Sequence, residues 1–112
     1  QVKTMFFEFI IENRFDNNEN LITENMVRSA CLDLLKPEGL FFVIEKKQGV
    51  SDESVCSMFS IIIQNHPLYS FKEKVTTEYI LKIAKRLQKN LNTFRIMVID
   101  PDKTTILGNE RN

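Results

Sequence analysis

Residues 76–107, TTEYILKIAKRLQKNLNTFRIMVIDPDKTTIL, decide the fold because they contain the clearest helix of the chain and two strands after it. From Thr76 onward, apolar residues recur at helical spacing on one side. These residues are Ile80, Ile83, Ala84, Leu87 and Leu91. The apolar, β-branched run at 94–99 is typical of a strand, the proline-containing stretch at 100–103 predicts a turn, and 104–107 predicts an edge strand. We therefore expect a helix that packs on a sheet.

The first half of the chain predicts two more strands around another helix. The aromatic and β-branched run at 4–11 indicates a central strand, and the asparagine-rich stretch at 12–21 indicates a loop. Thr23 can cap a helix that Pro37 and Gly39 end. A short apolar run at 40–45 predicts a second strand, and residues 46–50 predict a turn. A helix between two such strands favours a parallel crossover.

Residues 51–66 predict a further helix, with Ser51 as its cap and Pro67 as its end. Its expected apolar side consists of Val55, Met58, Phe59, Ile62 and Ile63. The fold class is then α+β, with about four strands in a mixed sheet backed by three helices. The expected element order is strand, helix, strand, helix, helix, strand, strand. We expect one domain over 1–112, a fragment of a longer protein, with residues 108–112 as a frayed tail.

The amino-acid composition limits the classes of protein to which this chain could belong. The chain has 112 residues, of which 43% are hydrophobic and 27% charged, as in an ordinary globular domain. It has no apolar run of about 18 residues, so we expect no membrane partner. Cys31 and Cys56 lack metal-ligand spacing, so we expect two shielded free thiols and an intracellular location, cytoplasmic or nuclear. With only 3 glycines and no phosphate-binding loop, we expect no cofactor and no bound metal.

The helix at 76–91 also carries the one surface feature that stands out. Its side opposite the apolar stripe is basic, with the side chains of Lys82, Lys85, Arg86 and Lys89. Residues 61–95 hold 7 basic and 2 acidic side chains, although the whole chain has 15 of each. This basic face could bind phosphates or an acidic partner, or it could be an ordinary solvated helix face. We name these four residues as the candidate binding site and name no catalytic residue.

Two weaker patterns bear on function. Glu45-Lys46-Lys47 has the Glu-x-Lys spacing of metal-dependent nucleases, which also need an acidic partner; Glu8 could supply one if its strand paired with that of Glu45. A three-residue match is common by chance. The phenylalanines of the strands are expected in the core, although Phe6, Phe7, Phe41, Phe42 and Phe94 could include positions where RNA bases stack.

The absence of a catalytic motif favours a non-enzymatic interaction module. Its expected role is dimerisation or assembly. A protein partner or a second copy would then cover the apolar side chains that the sheet cannot bury. The alternative is an RNA-binding domain that uses the basic face. An enzyme is the more distant hypothesis.

Overall fold

The computed structural model describes residues 6–12, 22–50, 55–64, 75–93 and 95–108, with only the backbone described at Val55 and Cys56. The strands are β1 (Phe6–Glu12), β2 (Phe42–Val50), β3 (Val55–Gln64), β4 (Arg95–Ile99) and β5 (Thr104–Gly108). The helices are α1 (Glu24–Leu34) and α2 (Thr77–Leu91), and a 3₁₀ turn spans Lys36–Glu38. The described part of the chain therefore has five strands and two helices, which corrects the expected four strands and three helices.

The strands form one antiparallel sheet in the order β2-β3-β1-β4-β5. The first strand is central, as predicted. The expected mixed sheet with a parallel crossover is wrong, because β3 pairs between β1 and β2. Helix α1 thus connects β1 and β2, which are not neighbours in the sheet. These two strands run in the same direction because each is antiparallel to β3 between them.

The segment expected to be the second helix is strand β3. Its residues Phe59, Ile61 and Ile63 are buried and alternate along the strand, and consecutive isoleucines favour extended backbone. Strand β2 continues through the stretch at 46–50 that was expected to turn, because these residues pair with residues 55–59. The proposed cap Ser51 and the helix end at Pro67 lie outside the described residues, as does most of the expected loop at 12–21.

The two other expected helices are confirmed. The side-chain oxygens of Thr23 and Thr76 accept hydrogen bonds from the backbone N–H groups of Met26 and Tyr79, both at 3.2 Å, and so cap α1 and α2. Helix α2 ends at Asn92, which takes the left-handed conformation with φ of 52°. All five residues of its expected apolar stripe are buried, together with Gln88.

Both helices cover one side of the sheet, which we call the helix-covered face. Its buried residues are Phe7, Phe9, Ile11, Phe59, Ile61, Ile63, Ile96 and Val98. They form one apolar cluster with the buried residues of the helices, including Val27, Ala30 and Cys31 of α1. The alternate residues of every strand lie on the other side, which we call the opposite face.

Polar contacts fix the edges of this arrangement. The amide Nε2 of the buried Gln88 donates to the backbone oxygen of Leu107 at 3.2 Å and so ties α2 to β5. The Asp100 carboxylate accepts hydrogen bonds from the backbone N–H groups of Asp102 and Lys103 at 2.7 and 2.8 Å, which fixes the β4–β5 turn. Gly108 belongs to β5 rather than to a frayed tail, and 109–112 lie outside the described residues. Neither α1 nor α2 is long and apolar enough to cross a membrane.

Candidate functional site on the opposite face

A carboxylate lies near the middle of the sheet on the opposite face. Glu8 is in the central strand, and only 14% of its side chain is exposed. The ammonium group of Lys47 in β2 reaches across β3 and lies 3.2 Å from its Oε2. The hydroxyl of Ser60, which is fully buried, donates a hydrogen bond to the same oxygen. We call Glu8, Ser60 and Lys47 the Glu8 cluster.

The alternation of the strands places these side chains together. Phe7 and Phe9 point to the helix-covered face, so Glu8 between them must point to the opposite face. In the same way Ser60 lies between two residues that face the helices. A largely buried charge is costly unless it is paired and hydrogen-bonded, and the Glu8 cluster supplies both contacts.

A second acid–base pair lies further along the same strand. Arg95 of β4 lies 3.7 Å from the carboxylate of Glu12, measured from Nη2 to Oε1, and both side chains are more than a third exposed. The pair borders a groove of about 430 Å³ on the opposite face. The other lining residues are Ile10, Met58, Met97 and Ile106. The groove is thus apolar except where Glu12 and Arg95 meet it.

The basic face lies on the other layer of the molecule. Lys82, Lys85, Arg86 and Lys89 are all exposed on α2, as the helical spacing implies. Because α2 packs on the helix-covered face, these four side chains lie on the far side of the sheet from the Glu8 cluster and the groove. The structure therefore groups the four basic side chains on one surface, away from both the Glu8 cluster and the groove.

The nuclease pattern is not assembled as expected. Strand β3 separates β1 from β2, so Glu8 is not a cross-strand neighbour of Glu45. Instead the ammonium group of Lys47 donates a hydrogen bond to Glu8 and is one of the two contacts that hold this carboxylate in place. Among the described side chains, no group of three or more His, Cys, Asp or Glu residues could hold a metal ion.

The aromatic side chains do not form a stacking platform in the described part of the chain. Phe6 lies on the opposite face and is 42% exposed, whereas Phe7 is fully buried against the helices. Phe41 and Phe42 are half-buried, and Phe42 packs against the core. Phe94 and the lone histidine, His66, lie outside the described residues.

The two cysteines lie in different kinds of secondary structure. Cys31 is a free thiol, fully buried on the apolar side of α1 as predicted. Burial raises the pKa of this thiol from 9.0 to about 12, because the thiolate loses its hydration. Such a thiol is a poor nucleophile at neutral pH. Cys56 lies in β3 rather than in a helix, and its side chain is outside the described part.

The sequence predicted only the basic face as a site; Glu8 and Lys47 were named solely through the weak nuclease pattern, and Ser60, Glu12 and Arg95 were not predicted. Ser60 was assigned to a helix, where it would not have met Glu8. A signal was present in β1, where Glu8 interrupts a run of large apolar residues in a strand expected to be central. A charged residue at such a position needs a partner, but which residue becomes that partner depends on the order of the strands in the sheet.

No protein-family model matches this chain, and no curated protein is similar to it. Two solved structures share its fold. A phage SAM lyase in complex with S-methyl-5'-thioadenosine is 13% identical, covers 95% of this chain and 90% of its own, and gives a TM-score of 0.63. A phage SAM lyase in the apo state is 11% identical, with coverage of 96% and 91% and the same TM-score of 0.63. At these identities the likeness extends to the fold alone.

Proposed function

We propose that this chain is an enzyme that cleaves S-adenosylmethionine, and that its reactive site lies on the opposite face. The observation that carries this proposal is the likeness to the phage SAM lyase, which spans nearly the whole of both chains. One fold hosts many activities, so the proposal also needs a site of suitable chemistry. The Glu8 cluster and the adjacent groove supply the candidate residues.

The chemistry of the substrate fits a carboxylate in a partly dry setting. S-adenosylmethionine carries a positive charge on its sulfur, and a nearby carboxylate attracts a cation more strongly where water is scarce. Glu8 has this environment, with 14% of its side chain exposed. Lys47 is 41% exposed and has a flexible stem, so its ammonium group can move aside for a cationic ligand.

The reaction itself makes few demands on the protein. When the bond between the sulfur and the γ-carbon breaks, the bonding electrons remain on sulfur and S-methyl-5'-thioadenosine leaves as a neutral thioether. As that bond breaks, the γ-carbon gains a bond from a nucleophilic atom of the substrate itself, or the Glu8 carboxylate takes a proton from the adjacent carbon and a double bond forms. Either course needs a fixed substrate conformation, which binding in a shaped site can supply.

Incubation with S-adenosylmethionine tests this proposal. We expect the chain to release S-methyl-5'-thioadenosine, measured by liquid chromatography, faster than the spontaneous reaction does. Glu8→Gln should lower the rate by at least about tenfold, because it removes the buried negative charge. Glu24→Gln is the matched control, since Glu24 is an exposed glutamate on α1. Release at the spontaneous rate with stoichiometric protein would refute the proposal.

A second candidate function is assembly with a protein partner or another copy of this chain. The observation that favours it is the set of large apolar side chains exposed on the opposite face, namely Phe6, Val43, Met97 and Ile106. Exposed apolar patches of this kind often mark interaction surfaces. Light scattering tests this function: a monomeric mass that does not change between wild type and Val43→Glu would exclude self-assembly through this face.

A further inference from the structure

The groove combines apolar walls with one acid–base pair. Its volume of about 430 Å³ falls within the range of about 300–1,000 Å³ that is typical of small-molecule sites. Met58 and Met97 have flexible thioether side chains that adapt to the shape of an apolar ligand. A ligand that fits this groove therefore has an apolar body and a polar end with charges of both signs.

The pair formed by Glu12 and Arg95 is suited to an α-amino acid group. An arginine can bind a carboxylate through two parallel hydrogen bonds, and a glutamate can accept hydrogen bonds from an ammonium group. The two charged groups are 3.7 Å apart at the edge of the groove. The carboxylate and ammonium groups of an amino acid are joined through one carbon, so both can reach this pair at once.

We propose that Glu12 and Arg95 bind the amino-acid end of the substrate, while the apolar walls of the groove contact the carbon atoms on either side of its positively charged sulfur. This assignment rests on the proposed function. It makes Arg95 and Glu12 specificity-determining residues, because they distinguish the substrate from its product. S-adenosylmethionine has the amino-acid end, whereas S-methyl-5'-thioadenosine lacks it.

Calorimetric titration with both compounds tests the assignment. Arg95→Gln and Glu12→Gln should each weaken S-adenosylmethionine binding by about tenfold or more, which is typical of a lost hydrogen bond to a charged group. Neither change should alter the affinity for S-methyl-5'-thioadenosine by more than about twofold. Ile106→Asn, which places a polar group in the apolar wall without adding a charge, should weaken both ligands.

The chain offers a matched control for the charged pair. Glu24 and Arg28 form an exposed ion pair on α1 with a distance of 2.9 Å, far from the groove. Replacement of both residues by Gln should leave both affinities unchanged. Far-ultraviolet circular dichroism and a urea melt of each variant separate a loss of binding from a loss of folding.

The outcomes distinguish this inference from the proposed function. If the wild type cleaves S-adenosylmethionine but Arg95→Gln binds it as tightly, the groove assignment is wrong and the proposed function stands. If the wild type binds neither compound and forms no product, the proposed function itself fails. If Ile106→Asn converts an oligomer into a monomer and leaves both affinities unchanged, the groove is a protein interface, which also overturns the assignment.

Discussion

The two faces of the sheet are built from the same strands and differ in what they bury. On the helix-covered face, β1 contributes Phe7, Phe9 and Ile11, all fully buried in one apolar cluster. On the opposite face the same strand contributes Phe6, Glu8, Ile10 and Glu12, which include two carboxylates and an exposed aromatic ring. The first face stabilises the fold by burial of apolar surface. The second is not covered by the helices and carries charged groups, as is common for an antiparallel sheet covered on one side.

The largest effect should come from a matched pair of substitutions in β1. Phe9→Ala removes a fully buried ring and should lower the free energy of unfolding by about 3–5 kcal/mol. Phe6→Ala, on the opposite face of the same strand, should cost less than about 1.5 kcal/mol because the ring is already 42% exposed. Urea melts of both variants measure the difference. Equal losses would show that the two faces are buried alike.

A smaller effect is expected at the Glu8 cluster. Lys47→Met keeps the apolar stem but removes the ammonium group that lies 3.2 Å from the largely buried Glu8 carboxylate. We expect a loss of about 1–3 kcal/mol in a urea melt at neutral pH. Lys46→Met is the control, because Lys46 is exposed and, as the next residue in β2, points to the other side of the sheet. A loss of equal size in both variants would assign the effect to general charge rather than to the contact with Glu8.

The contrast between the faces also explains how far the sequence predicted the fold. Helices α1 and α2 were predictable because their apolar spacing, threonine caps and end signals are local and agree with one another. Residues 55–63 were not, since their apolar positions fit a helix as well as a strand. The segment is a strand because it pairs with β2, which directly precedes it, and with β1, which lies far away in sequence. A helix at 55–63 would leave the sheet one strand short and would change the expected order of the other strands.

The candidate site depends on the same non-local information. The sequence shows that Glu8 interrupts an apolar strand and that Lys47 belongs to a charged run. Their contact exists only because β3 lies between β1 and β2 and carries Ser60 on the same face. The basic face of α2, in contrast, follows from helical spacing alone, so its four residues could be named without knowledge of the sheet.

The pH dependence of stability tests whether water is excluded from the core between the helices and the sheet. Burial raises the pKa of Cys31 to about 12, whereas an exposed thiol titrates near 9.0. Between these values the unfolded chain loses the proton and the folded chain keeps it, so stability falls as pH rises above about 9. This contribution should reach about 1 kcal/mol by about pH 10. Cys31→Ala should therefore lose less stability than the wild type between about pH 8 and pH 10, measured by urea melts; parallel curves would show that water reaches Cys31.

The smallest effect on stability is expected at the basic face, which lies on the solvent-exposed side of α2. Replacement of Lys82, Lys85, Arg86 and Lys89 by Gln keeps the helix propensity nearly constant, and each residue is exposed. The free energy of unfolding should change by no more than about 0.5 kcal/mol. Release of S-methyl-5'-thioadenosine should be unchanged, because the sheet separates this face from the Glu8 cluster.

The same fourfold variant tests the RNA-binding alternative. Each contact between a cation and a phosphate releases counterions, so the number of contacts sets the slope of affinity against salt concentration. If the basic face binds RNA, the wild type should bind an oligonucleotide at low salt with a steep slope, and the variant should bind weakly with a flatter one. Fluorescence anisotropy at several salt concentrations measures both slopes. If the wild type does not bind even at low salt, the RNA-binding alternative is wrong.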